Sequence, residues 1–362
     1  MALLFMEGFD CFSTLLNTSE QVRTALWQFA DGLTLTTNTR YGRGKAVRST
    51  ASSVYGCRRV INYDPATLIV GVAVKVEPDL DIWGTQFFLF EDATVGGGRY
   101  AQLMIGTDPK GRLTLMTGDA DILQGFVLRA RSDRNVFIES TWYYIEVKAT
   151  FHRTHGHVEV MVDEALVLVY DGPTVSQSGA ARNSANTIFF TPRYAYSLGS
   201  GIGGTTYDDI YCCDLDPAGV NYFLGDISVE SFFVQADVGP NAMIPLTGTS
   251  HAAMLQSYDE DTTFVFTNTI GDMEQFSLPD LPDDIIQVRG VAGYARGKKD
   301  AMSTTNFDVG LVLGGTYKWS GGQQLSTSYI TRELFMELKH DEGTWTISDI
   351  NALQLAFRTV SG

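Results

Sequence analysis

Residues 141–171 read TWYYIEVKATFHRTHGHVEVMVDEALVLVYD, and few folds admit such a stretch. Tyr143, Ile145, Val147, Ala149 and Phe151 alternate with Tyr144, Glu146, Lys148 and Thr150. A period of two fits a strand with one buried face. A polar tip follows, His152–His157, with Gly156 free to take a positive φ. Val158, Val160 and Val162 then alternate with Glu159, Met161 and Asp163, and after Glu164 an apolar run covers Ala165–Tyr170. Three strands joined by tight turns predict an antiparallel meander at the centre of a sheet.

The rest of the chain has the same texture. Thr67–Val76 is almost wholly apolar, as a central strand buried on both sides would be. Strands are also predicted at Leu3–Phe9, Thr85–Phe90, Tyr100–Gly106, Arg112–Met116, Val127–Arg131, Thr187–Phe190 and Tyr207–Asp214. Asp108-Pro109-Lys110-Gly111 has the chemistry of a hairpin turn. Glu20–Phe29 is the best helical segment, and it is short. Around Asp214–Gly225 the texture changes, which places a boundary between residues 1–222 and 223–362. The second part is expected to be a smaller β-sandwich, with strands at Ile227–Gln235, Thr262–Thr267, Ile285–Arg296, Phe307–Gly314, Tyr329–Leu338 and Leu353–Val360. Trp345, in a turn at Gly343–Thr346, is placed to cover its core.

A chain of 362 residues with 44% hydrophobic and 19% charged residues can bury a real core, and its 36 glycines suit turns. The net charge of −16 argues against nucleic acid or an anionic membrane as partner. The cluster from Arg40 to Arg59 is the one basic island and reads as a solvated or interface face. The opening apolar run lacks a basic flank and is too short for a signal segment. No run approaches the ~18 apolar residues of a membrane helix. The expectation is therefore synthesis in a cytoplasm, with Cys11, Cys57, Cys212 and Cys213 as free thiols.

The first part resembles the concanavalin A-like jelly roll of laminin-G modules, legume lectins and many glycanases. The residues that carry the resemblance are the Trp142–Val147 strand, the Gly-tipped hairpin, Val158–Val162 and Tyr207-Asp208-Asp209-Ile210-Tyr211. The whole chain also looks like virion structural proteins of tailed bacteriophages. It shares Phe5-Met6-Glu7-Gly8-Phe9-Asp10, the W-Y-x-I-E-x-K pattern of Trp142–Lys148, the stretch Asn221–Asp226 and the close at Trp345-Thr346-Ile347.

Three kinds of candidate chemistry stand in the sequence. His152, His155 and His157 fall within six residues, and His155 and His157, two apart, could share a face as a metal pair, or else be solvated or interface residues of a hairpin tip. Asp208 and Asp209, with Asp92 and Asp259-Glu260-Asp261, are loop acids of the kind that bind Ca²⁺ in lectins, or else caps for backbone donors. Tyr194, Tyr196 and Tyr207 lie beside segments that form ligand mouths in lectins, and could stack on sugars or belong to the core. Glycanases of this fold carry three acids on alternate positions of one strand. Here Glu159 and Asp163 share a face with Met161 between them, so the triplet is missing. No Gly-Lys-Ser/Thr phosphate loop and no G-x-S-x-G element occurs.

The resemblance implies a non-enzymatic, all-β component of a phage particle without a cofactor, working with copies of itself, other virion proteins and a host surface glycan. A tail fibre or baseplate position is the first expectation and a capsid decoration protein the second. A carbohydrate-active enzyme of atypical kind is the third.

Overall fold

The structure, a computed structural model, describes residues 2–13, 18–25, 27–49, 56–76, 85–93, 99–118, 126–177, 181–190, 204–215, 222–300 and 305–362. The chain divides into two compact units. The first joins Met1–Phe9 to Asn17–Glu230, and the second joins Asp10–Leu16 to Ser231–Gly362. The break thus falls at 230/231 rather than 222/223, because residues 222–230 lie on the first unit.

That unit is a sandwich of two antiparallel sheets. One runs, edge to edge, Ala165–Gly172, Gly156–Val162, Trp142–Thr150, Thr67–Val76, Thr205–Asp214, Ala46–Ser49 and Leu33–Thr36, and Ala2–Glu7 also pairs with Thr205–Asp214. The predicted meander is its first three strands, and Thr67–Val76 is central, paired on both sides. The facing sheet runs Phe126–Arg131, Leu113–Gly118, Arg99–Thr107, Gln86–Ala93, Thr187–Phe190, Gly56–Val60 and Phe29–Asp31. Apolar residues of both inner faces meet between them. Phe151 packs edge-on to Phe90 with centroids 5.3 Å apart, and Phe190 meets Phe88 and Tyr207. The predicted helix is present as Thr18–Ala25.

The second unit is also β. Its main sheet runs Ala236–Asn241, Met273–Ser277, Gln354–Val360, Asn306–Leu313 and Thr316–Trp319. A two-stranded sheet, Val291–Gly297 with Ile330–Met336, packs toward one of its faces, where Gly293 lies against Leu355 and Leu311. Trp345 covers this core as expected, buried among Leu311, Leu334 and Ile350, with its indole N–H donated to the Met336 carbonyl. The sequence missed a short helix, Ile347–Asn351, which starts in a reciprocal capping box of Thr346 and Asp349. Three expected strands change: 227–235 is not a strand, 262–267 keeps only Val265–Phe266, and 285–296 keeps only Val291–Gly297. Among the described residues no helix is long and apolar enough to cross a membrane.

Candidate functional site

The alternation that buries Ile145 and Val147 turns Tyr144, Glu146 and Lys148 to the outer face of the eight-stranded sheet. Register adds the rest. Glu159 stands opposite Lys148, Met161 opposite Glu146 and His157 opposite Thr150. On the other side Gly71 pairs with both Glu146 and Tyr211. Tyr211 reaches this face through an irregularity between Asp208 and Tyr211, where Asp209 adopts a φ of 50°.

One half of the face is closed. The Tyr211 hydroxyl donates to Glu146 Oε1 at 2.5 Å, and the Gly225 N–H donates to the same oxygen at 3.0 Å. Leu224 N–H donates to the Tyr211 hydroxyl, and Val229 N–H to Asp209 Oδ1 at 2.7 Å. Residues 222–230 therefore form a strap whose backbone donors are met by side chains of the sheet rather than by a neighbouring strand. Asp226 pairs with Arg40 and accepts the Tyr41 hydroxyl, and Glu230 pairs with Arg43 at 2.7 Å. The Arg40 guanidinium lies 4.7 Å from the Tyr144 ring centroid. This accounts for part of the basic island: Arg40 and Arg43 hold the strap, and Arg40 also covers Tyr144. Beneath the strap Glu146 is 2% exposed, and burial raises its pKa against the pull of the Tyr211 and Gly225 hydrogen bonds. Burial, then the Glu146 carboxylate, raises the Tyr211 pKa, so the phenol stays protonated.

The other half of the face is open. A polar row crosses it from the sheet edge inward. His157 Nδ1 lies 2.8 Å from Asp171, its Nε2 lies 3.7 Å from Glu159, and Glu159 lies 3.5 Å from Lys148 Nζ. Asp171 holds the imidazole by one nitrogen and leaves the other on the open side. His157 and Glu159 are each about one-third exposed at the side chain, enough to meet a substrate. A base, a carboxyl group and an ammonium in one row can move protons at, and hold, a polar molecule laid across the sheet.

The residues singled out in the sequence fall differently. His155 does not join His157 in a metal pair: it sits in the turn, where its ring stacks on His152 and its N–H donates to His152 Nδ1. Gly156 is required by space rather than by φ, since a Cβ there would stand 2.0 Å from Thr174 Oγ1. Tyr207 is a core residue, fully buried, with its hydroxyl donated to the Phe87 carbonyl, and so does not meet a ligand at the surface. Tyr194 and Tyr196 lie outside the described residues. Asp208 and Asp209 are buried, and each accepts a backbone N–H, the capping role. Asp92 pairs with Arg182, Glu260 with Arg296 and Asp261 with Lys298. Among the described residues no group of three or more His, Cys, Asp or Glu side chains is arranged to hold a metal ion.

No protein-family model and no curated protein matches the chain. Solved structures do. The PL-14 alginate lyase from Aplysia kurodai aligns at a TM-score of 0.45 and 12% identity, covering 59% of this chain and all of that one. A Trypanosoma rangeli sialidase aligns at 0.35 and 12%, over 53% of this chain and 31% of its own. A Caenorhabditis elegans galectin aligns at 0.29 and 8%, over 46% and 95%. The likeness is one of β-sandwich folds. It corrects the expectation of a non-enzymatic phage particle protein: the similar structures reported are lyases, sialidases and a galectin, and none supports a phage origin.

Proposed function

We propose that this protein is a carbohydrate-active enzyme that cleaves a glycan on the outer face of its eight-stranded sheet by general acid–base chemistry. The observation that carries the proposal is the row Asp171, His157, Glu159 and Lys148 on the open half of that face. His157, oriented by Asp171, and Glu159 are the proton-transfer groups, and Lys148 holds Glu159 in place. A sheet face offers an extended chain several strands of contact, and carboxyl and imidazole groups suit sugar hydroxyls. Two carboxylates in the row and a net charge of −16 favour a neutral glycan over a polyanion. Glu146 is excluded as the acid by its burial under Gly225, and serves to shape the closed half.

The test is incubation with neutral and acidic polysaccharides, following new reducing ends and the ultraviolet absorbance of unsaturated sugars, which separates hydrolysis from elimination. Reducing ends are expected from at least one neutral glycan. His157→Ala and Glu159→Gln are each expected to lower kcat by about 100-fold or more. Retention of full activity in both variants, or no cleavage of any glycan, would overturn the proposal.

A further inference from the structure

The main sheet of the second unit has a face directed away from the two-stranded sheet that packs on Leu311 and Leu355. Alternation places Asp308, Gly310 and Val312 on that face, with Phe307, Val309 and Leu311 in the core behind it. Register sets Trp319 opposite Gly310 and Tyr317 opposite Val312 on one side, and Arg358, Ala356 and Gln354 opposite Asp308, Gly310 and Val312 on the other.

The indole of Trp319 rests on Gly310, where a Cβ would stand 2.6 Å from its Cε3. The Tyr317 ring lies parallel to it within 8°, centroids 5.4 Å apart. The Arg358 guanidinium lies 4.0 Å from the indole centroid and is fixed by Asp308 at 3.0 Å. Tyr317 extends across two strands to donate its hydroxyl to Gln275 Oε1 at 2.6 Å, and Gln275 donates in turn to Gln354 Oε1. The relay ends on the Gln354 amide nitrogen, so donors border the aromatic strip. Trp319, Tyr317, Arg358 and Gln354 are all half-buried and remain accessible.

We propose that this face is a second glycan-binding site, a non-catalytic platform separate from the row on the first unit. A sugar ring has an apolar C–H face and a rim of hydroxyls. The indole and phenol offer flat apolar area, and the Gln354 amide and Arg358 guanidinium offer donors at its edges. A purely apolar partner fits poorly, since it would desolvate Arg358 and Gln354 without repaying their hydrogen bonds. A polyanion fits poorly as well, because Asp308 already neutralises Arg358. The occupant that matches is a neutral polysaccharide chain.

The experiment is affinity electrophoresis of the full chain carrying His157→Ala, in gels containing laminarin, xylan, galactomannan or alginate. The background variant silences the first site, so binding seen there does not depend on cleavage. Retardation by at least one neutral polysaccharide is expected, weakened tenfold or more by Trp319→Ala and about threefold by Gln354→Ala. If Trp319→Ala does not fold, Gln354→Ala alone decides, its fold checked by circular dichroism. Absence of retardation in every gel, or retardation by alginate alone, or retardation unchanged in the folded variants, would overturn the platform while leaving the cleavage proposal standing.

Discussion

The ring of Tyr211 lies on Gly71: a Cβ built at that glycine would stand 2.0 Å from Tyr211 Cε1. Gly71 sits in the middle of the central strand, so the ring has backbone beneath it and its hydroxyl reaches Glu146 one strand further on. Gly71→Ala must displace the ring, because the chain around it is paired on both sides and cannot yield. The expected cost is about 1–3 kcal/mol, the range for overpacking a buried site. Urea denaturation measures it. A variant as stable as the wild type would mean that the ring does not rest there.

Glu146 ties stability to pH. Its carboxyl pKa is raised in the folded protein, chiefly by burial, so the native state binds that proton more tightly than the unfolded chain does. The extra stability is fully present below the ordinary glutamate pKa of about 4.3 and is lost as pH rises through the raised folded value. Glu146→Gln cannot titrate, and its amide oxygen can still accept from Tyr211 and Gly225. Its urea midpoint is expected to fall less than the wild type's as pH is raised from about 4. A slope remains, because burial also raises the Glu274 carboxyl in the second unit. Parallel curves for the two proteins would refute the assignment.

Arg40 joins the strap to the sheet, pairing with Asp226 while its guanidinium covers the Tyr144 ring. Arg40→Ala removes both contacts at a side chain only 10% exposed. The expected loss is about 2 kcal/mol, as for a hydrogen bond to a charged group. Because the strap forms no strand, the loss should appear locally. Limited proteolysis followed by mass spectrometry should show faster cutting within residues 222–230 than elsewhere. Uniform acceleration along the chain would mean that Arg40 supports the whole sandwich instead.

The sequence displayed the sheet better than what lies on it. The meander was legible because alternation of Tyr143–Phe151 against Tyr144–Thr150 is a local signal, and Thr67–Val76 because its first eight residues carry no charge and only Lys75 breaks the run. The strap was not. Phe223, Leu224, Ile227 and Val229 have the content of a strand, but the backbone N–H groups of Leu224, Gly225 and Val229 go to the side chains of Tyr211, Glu146 and Asp209, which no periodicity reports. The open row was half legible. Alternation alone puts Glu146 and Lys148 on one face. His157 was grouped with His155 by spacing, whereas its partner is set by the turn at Asp163-Glu164, which folds Asp171 back opposite it. Counting outward from that turn alone would have set Tyr170 opposite His157, because an irregularity between Val160 and Met161 shifts the register by one residue. Tyr207 misled for a related reason: at the start of its strand it borders a segment of the kind that forms ligand mouths, but the irregularity at Asp209 lies after it and leaves Tyr207 facing inward.

The open row makes a last prediction, at Asp171. Its side chain is 80% exposed, and its carboxylate lies 2.8 Å from His157 Nδ1. Asp171→Asn should therefore leave stability within about 0.5 kcal/mol of the wild type, as substitutions of exposed side chains do. If Asp171 orients the imidazole, the amide, which can present either an acceptor or a donor, holds the ring less definitely. Glycan cleavage should then lose about tenfold in kcat with KM nearly unchanged, the pattern of an interaction made in the transition state and not in substrate binding. A rise in KM at constant kcat would instead make Asp171 a glycan contact, and would move the proton-transfer role away from His157 toward Glu159.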